Sequence, residues 1–377
     1  MDRENDELGP ATQLICQQIW PNMQSESLLP KFYTAAIRYL RSELEKAELR
    51  PHGGVGMNPA LEAEVLACLQ CFQSDVDLPR AAALDSLQQR LDNGGLQASL
   101  GSVPDAKARL AEYLGRIWLH FPISLDTSSQ IRTLSNDKFI NWGDKVSLRE
   151  VIGSYFNRLK ADSAKTGPLS GDEIIPRHFT AAYLVKNYRW RIRWTHSLIE
   201  HLRIDWANKI INVYEHKVWL LNHRDHSSDC PIPADALEEA IDTLNLLFPP
   251  FNRATKKFLA SQGRHFGALG LGGRQEIRHL SHYKYWHTSL AHLRTELKAP
   301  PYGWRQLLPH EGNENLMQLL TFWVTVGLLA ILTIVFGGIA SYFSFKAYEL
   351  TLLQYQLSLM QACLEPGANE TMPGFCS

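Results

Sequence analysis

The sequence predicts an α+β protein, a mainly helical cytosolic region with a small β-hairpin or sheet core, followed by one C-terminal transmembrane helix. Three observations carry this expectation. Residues 316–345 contain no charged side chain. Apolar residues recur at helical spacing through the first 120 positions, and basic and apolar residues alternate from Arg189 to Trp194 just ahead of a hairpin signal.

The apolar run comes first because it constrains the most. About 20 apolar residues cross roughly 30 Å of hydrocarbon, so 316–345 spans a bilayer with room to tilt. Trp323 at one end and Tyr342 and Tyr348 at the other suit the two interfaces. Arg294, Lys298 and Arg305 precede the run and only Lys346 follows it, which predicts a cytosolic N-terminal side and a luminal or extracellular tail over 346–377. The sequon Asn369, Glu370, Thr371 lies in that tail as the expected glycosylation site, as do Cys363 and Cys376. Residues 1–8 lack the cationic start and apolar run of a signal peptide, so the span itself is expected to act as the insertion signal, with endoplasmic reticulum and plasma membrane equally open. Gly337, Gly338 and Ser341 give a small-residue spacing suited to helix packing and self-association. Residues 347–364 are amphipathic and read as an interfacial helix or short stub, not a second span.

Ahead of the span, Tyr33, Ile37, Leu40 and Leu44 predict one helix, Leu84, Leu87 and Leu91 another, and Leu110, Leu114 and Ile117 a third behind Pro104, giving a helical region over 1–120. An α+β domain is expected over 121–300. It starts with a helix announced by the capping box Ser147 to Glu150 and carrying Val151, Ile152, Tyr155, Phe156 and Leu159 on one side. Residues 189–194 read as a strand, with Arg189, Arg191 and Arg193 outward and Trp190, Ile192 and Trp194 inward. Strands over 202–205 and 210–214 flank the turn 206–209 as a hairpin. Pro233 and Asp235 open a helix with Leu237, Ile241, Leu244 and Phe248 on one face. Pro300, Pro301 and Pro309 mark a linker over 301–315.

Composition bounds the function. The chain has 377 residues, 45% hydrophobic, too apolar for general disorder. Its net charge of −1 gives no bulk field for nucleic acid. Six cysteines are too few and scattered for a disulfide framework. Cys68 and Cys71 have redox spacing but sit in an apolar helical pattern, which favours small core residues. His279, His282, His287 and His292 cluster in sequence without a Cys or carboxylate at ligand spacing, so no metal site is assigned. The glycine-rich stretch 267–273 lacks the Lys-Ser/Thr of a phosphate loop, and no cofactor is expected. No nucleophile elbow or zinc-protease pair occurs. The binding-surface candidate is the Arg189, Arg191, Arg193 face, fit for anionic lipid heads or an acidic partner; the alternative is a solvated face neutralised by Glu200 and Asp205.

The run Ile192, Arg193, Trp194, Thr195, His196 through His201, Leu202, Arg203 and Ile204, then Val213, Tyr214, Glu215, His216, then Leu237 through Pro249, resembles a group of uncharacterised filamentous-fungal membrane-anchored proteins. Phe322, Trp323, Phe336 and Gly337 match the membrane helix of that group, and the likeness covers about residues 130–345. Some members are loosely called CorA-like, but this chain has one span where CorA magnesium channels have two with a Gly-Met-Asn between them. The resemblance implies architecture and origin and carries no activity. The sequence therefore predicts a single-pass anchored protein with a cytosolic interaction domain, partnered by the bilayer and by a protein or anionic lipid. The alternatives are a subunit of an oligomeric transporter or channel, or a cytosolic-facing enzyme.

Overall fold

The computed structural model describes residues 39, 42–43, 59–93, 106–125, 139–165, 174–226, 229–264, 279–298 and 316–364, with 366 and 374. The chain divides into two units, Met1–Gly303 and Trp304–Ser377. The expected helix around Tyr33, the glycine-rich stretch 267–273, the linker 301–315 and Asn369 all lie outside the described residues.

Among the described residues of the first unit, three helices pack on one another, α1 (Pro59–Ser74), α2 (Arg80–Asn93) and α3 (Ala106–Leu119). Leu87, Leu91, Leu110, Leu114 and Ile117 are buried, as their spacing predicts. Cys68 is buried in the core of α1, while the half-buried Cys71 lies 3.3 Å from Ser86 Oγ.

A short parallel pair, β1 (Ile123–Ser124) and β2 (Ile140–Asn141), follows. Arg80 holds it to the start of α2, donating to Leu125 O at 2.7 Å and Trp142 O at 2.5 Å while pairing with Asp144. Helix α4 (Leu148–Lys165) begins at the predicted capping box, Ser147 N donating to Glu150 Oε2 at 3.1 Å and Glu150 N to Ser147 Oγ at 3.2 Å.

Helix α5 (Ala181–Tyr188) ends in Arg189, whose φ of 61° closes the helix with an N–H to Leu184 O. The strand expected from Arg189 thus starts two residues later, as β3 (Arg191–Thr195), and Arg189 belongs to the helix cap. Trp190 is buried, Arg191 and Arg193 are exposed, and Ile192 and Trp194 are half-buried, the alternation the sequence predicts.

The hairpin forms from β4 (Ile204–Asp205) and β5 (Ile210–Tyr214). Asn208 fixes its turn by donating N–H and Nδ2–H to the Asp205 carboxylate, at 3.1 and 2.8 Å, which together hold Asp205 below its ordinary range. The sheet order is β3-β5-β4, with β3 parallel to the central strand from Arg191 opposite Ile210 to Thr195 opposite Tyr214.

After β5 come α6 (Lys217–His226), α7 (Ala234–Leu247), α8 (Arg253–Ser261) and α9 (His287–Lys298). Helix α7 is buried on nearly all sides rather than on the one face expected, because α6 packs on it and a loop crosses behind it. That loop is held by Glu239, whose carboxylate accepts N–H groups from Lys284, Tyr285 and Trp286 at 2.6, 2.8 and 2.8 Å. One hydrophobic cluster runs from Val65 to Leu297, so the change near residue 120 is one of character, helical to mixed, and not of packing.

The second unit contains α10 (Leu316–Cys363), 48 residues. The helix does not end near residue 345 but continues through the stretch expected to be a separate interfacial piece. No Gly or Pro interrupts 345–363, and Lys346 pairs with Glu349 one turn on at 2.7 Å. At 1.5 Å per residue it is about 70 Å long, more than twice the hydrocarbon thickness. It is apolar enough to cross a membrane, and none of its most apolar window is buried against protein.

Candidate functional site

The site grows out of the parallel pairing of β3 and β5. Thr195 and Tyr214 are the last partners in register, so the residues after them, His196 on one strand and Glu215 and His216 on the other, emerge side by side. Glu215 N–H continues the ladder to Thr195 O at 3.2 Å. His216 then turns the chain into α6, its carbonyl accepting the N–H groups of Trp219 and Leu220.

Three side-chain atoms converge there. His196 Nδ1 lies 2.6 Å from Glu215 Oε1 and 2.8 Å from His216 Nε2, and Glu215 Oε1 lies 3.8 Å from His216 Nε2. The Glu215 and His216 side chains are 2% and 0% exposed, whereas that of His196 is 48% exposed, so the cluster is walled by protein on two members and open to solvent at the third.

Aromatic rings hold these groups in place. Tyr39 stacks on His196 at 4.6 Å between centroids and touches His120 edge-on at 4.7 Å. His120 follows α3 with a φ of 53°, meets His216 edge-on at 4.8 Å, stacks on Trp219 at 4.5 Å and bonds Tyr214 Oη through Nδ1 at 2.6 Å. Arg264 closes the far side. Gly263, with φ 65°, ends α8 in a left-handed turn in which Arg264 N–H reaches back to Leu259 O at 2.9 Å. The guanidinium then lies over Trp194, 5.4 Å from the ring centroid, and pairs with Glu215 Oε2.

Burial sets the protonation states. It drives the His216 and His223 imidazoles down to about 3, and takes His120 well below its ordinary value, helped by the neighbouring His216, His223 and His196. These rings are neutral near pH 7 and offer lone pairs. Burial would raise the Glu215 carboxyl, yet the His196 hydrogen bond, the neighbouring His216 and His196 rings and the Arg264 guanidinium outweigh it and hold the group below its ordinary range. Next in the chain, burial pushes the Lys217 ammonium down to about 8, with Nζ donating to Asn245 Oδ1 at 2.6 Å. A half-open cluster of two imidazoles and a carboxylate has the donor set of a first-row divalent metal site.

An outer ring of polar contacts steadies the strand that delivers Glu215 and His216. Tyr214 N–H donates to His201 Nδ1 at 3.2 Å, His201 Nε2 lies 2.7 Å from Thr243 Oγ1, and Trp286 Nε1 donates to His201 O at 2.9 Å.

The sequence-based candidates fall elsewhere. Arg191 donates to Asn208 O at 3.3 Å across the hairpin turn, Arg193 acts on Asp205, and Arg203 pairs with Glu200, so the local carboxylates temper the basic face. His279 caps the short 3-10 turn Leu280–His282 with its ring edge-on to His282 at 5.7 Å, His287 begins α9, and His292 faces Trp206 at 5.7 Å. Among the described residues, the His, Cys, Asp and Glu group able to hold a metal is His196, Glu215 and His216 instead. Gly337, Gly338 and Ser341 are exposed on α10, and a Cβ at either glycine would meet nothing within 4 Å. Compared with protein-family models, curated proteins and solved structures, the chain matches none.

Proposed function

We propose that this chain is a single-pass membrane-anchored protein whose Met1–Gly303 unit faces the cytosol and serves as an interaction module. The observation that carries the reading is α10. Its large apolar side chains from Leu320 to Phe345 stand 40–74% exposed with no protein to cover them, Val324, Ile331, Ile334, Phe336 and Phe343 at 60% or more. An uncovered apolar surface of this length calls for lipid. A soluble core helix of the same composition would be packed, and this one is not.

Orientation rests on the cations ahead of the span, and agrees with the disulfide-bonded state of Cys363 beyond it, since disulfides persist on the luminal or extracellular side. The sequence resemblance to the filamentous-fungal group noted above points the same way. Arg191 and Arg193 remain the exposed cations on the sheet of the first unit, and they suit an acidic protein or anionic lipid on the cytosolic side. The open small-residue stripe on α10 fits self-association within the membrane, the feature on which a transporter or channel reading draws.

The test is alkaline carbonate extraction of membranes carrying the full chain, together with glycosidase treatment beside an Asn369→Gln variant. Retention in the pellet with a mobility shift only in the unsubstituted protein is expected. Release into the supernatant refutes the anchor, and protease protection of the large unit refutes the orientation.

A further inference from the structure

We infer that His196, Glu215 and His216 form a binding site for a first-row divalent transition ion, with Zn2+ as its representative, at the carboxyl ends of β3 and β5. Donor spacing is the first argument. In a tetrahedral site with bonds of about 2.0–2.2 Å, donor atoms stand roughly 3.3 Å apart. The three separations here, 2.6, 2.8 and 3.8 Å, bracket that distance.

Hydrogen-bond accounting is the second. Glu215 Oε1 and His216 Nε2 both address His196 Nδ1, a nitrogen that carries at most one proton. One N–H serves one of them in good geometry and leaves the other facing a lone pair or a shared proton, whereas a cation between the three satisfies them all. Among the described residues, His216 Nδ1, on the far side of the same buried ring, has no hydrogen-bond partner, so none of them fixes which nitrogen bears its proton.

The surroundings have the build of a metal site. Arg264 occupies Glu215 Oε2 and leaves Oε1 to the cluster. Tyr39 against His196, and His120 and Tyr214 against His216, set the planes of both rings. The exposed side of His196 supplies an entry path and room for a fourth, solvent-derived ligand, the arrangement of a three-ligand zinc site. Two imidazoles with one carboxylate favour Zn2+ and its neighbours over Mg2+ or Ca2+, which prefer all-oxygen shells.

The test uses tag-free full-length protein in nonionic detergent, stripped with a chelator, desalted and titrated with Zn2+ against a chromophoric competitor, with metal content read by mass spectrometry. One Zn2+ per chain at micromolar affinity or tighter is expected, together with visible absorption bands when Co2+ replaces it. His196→Ala removes a half-exposed side chain, so its fold can be checked by near-ultraviolet circular dichroism. It is expected to weaken Zn2+ by about 100-fold or more and abolish the Co2+ bands, since even outer-shell partners are worth 10–100-fold. Glu215→Gln is expected to weaken binding in the same direction, and a His279→Ala, His282→Ala double variant to bind as the unsubstituted chain does. Absence of bound Zn2+, or stoichiometric binding that survives His196→Ala, overturns the inference.

Discussion

His201 makes the fold acid-sensitive in a way that can be worked out from its contacts. The Thr243 hydroxyl spends its proton on Ala240 O at 2.7 Å, so it accepts from His201 Nε2–H, and His201 Nδ1 is thereby the acceptor of the Tyr214 N–H. Protonating Nδ1 would set two N–H groups against each other in a ring that is 3% exposed. Burial accordingly drives the imidazole down to about 3 from its ordinary 6.5. Because the folded value is depressed, the unfolded chain binds a proton that the folded chain refuses. The stability is fully present above about pH 6.5 and drains away as the pH falls from there toward 3. With those two values, the loss between about pH 8 and pH 5 comes to about 2 kcal/mol. The assay is urea unfolding of the full chain in nonionic detergent, followed by tryptophan fluorescence, at both pH values beside His201→Asn. The Asn carbonyl keeps an acceptor for Tyr214 and does not titrate. The variant is expected to be less stable at the higher pH, with the gap to the unsubstituted protein narrowing by about 2 kcal/mol at the lower one. Parallel curves, with a constant gap, would refute the assignment of the linked proton to His201.

Glu239→Gln replaces one oxygen of a carboxylate that takes three backbone N–H groups, so one charge-assisted bond is lost and a buried donor orphaned; a destabilisation of about 3 kcal/mol in the same urea assay is expected. Ser147→Ala removes one half of the reciprocal cap on α4 and is expected to lower stability by about 1 kcal/mol. Ile334→Lys, paired with Leu332→Lys, puts two ammonium groups mid-span at roughly 3 kcal/mol each, and carbonate extraction should then release a large share of the chain. Arg80→Met keeps the aliphatic stem but strands two buried carbonyls, Leu125 O and Trp142 O, and should cost about 2–4 kcal/mol.

Much of the fold was legible because the deciding interactions are local. The capping box before α4 lies within four residues, the β4-β5 hairpin turns on Asp205 and Asn208 three apart, and the α10 signal is carried by composition alone. Periodicity failed where burial was not one-sided. Helix α7 reads as amphipathic, yet Glu239, Asp242, Thr243 and Asn245 are as buried as its leucines, because each polar group meets a partner contributed from elsewhere in the chain or from the helix itself. The start of β3 was misplaced for a different reason. Arg189 keeps the alternation of the strand pattern but is consumed by the left-handed cap of α5, a backbone event that leaves no mark on side-chain spacing.

The candidate site was on the page in the sequence and still unreadable. Glu215 and His216 stand together at the end of one strand and His196 at the end of another, 19 residues earlier, a gap that matches no metal-ligand spacing along a helix. Adjacent side chains on a continuing strand point to opposite faces, so Glu215 and His216 would be read as unable to share a ligand. They do converge because β5 stops at Tyr214 and the chain turns into α6 at His216. The decisive fact is that β3 pairs with β5 in parallel, with Thr195 opposite Tyr214, so that both strands end on the same edge. An antiparallel pairing, the one a hairpin signal encourages, would put the end of one strand beside the start of the other and leave His196 far from Glu215. Strand direction is a tertiary property, set where Trp190, Ile211 and Val213 join the hydrophobic core, whereas the histidines from His279 to His292 are close only along the chain.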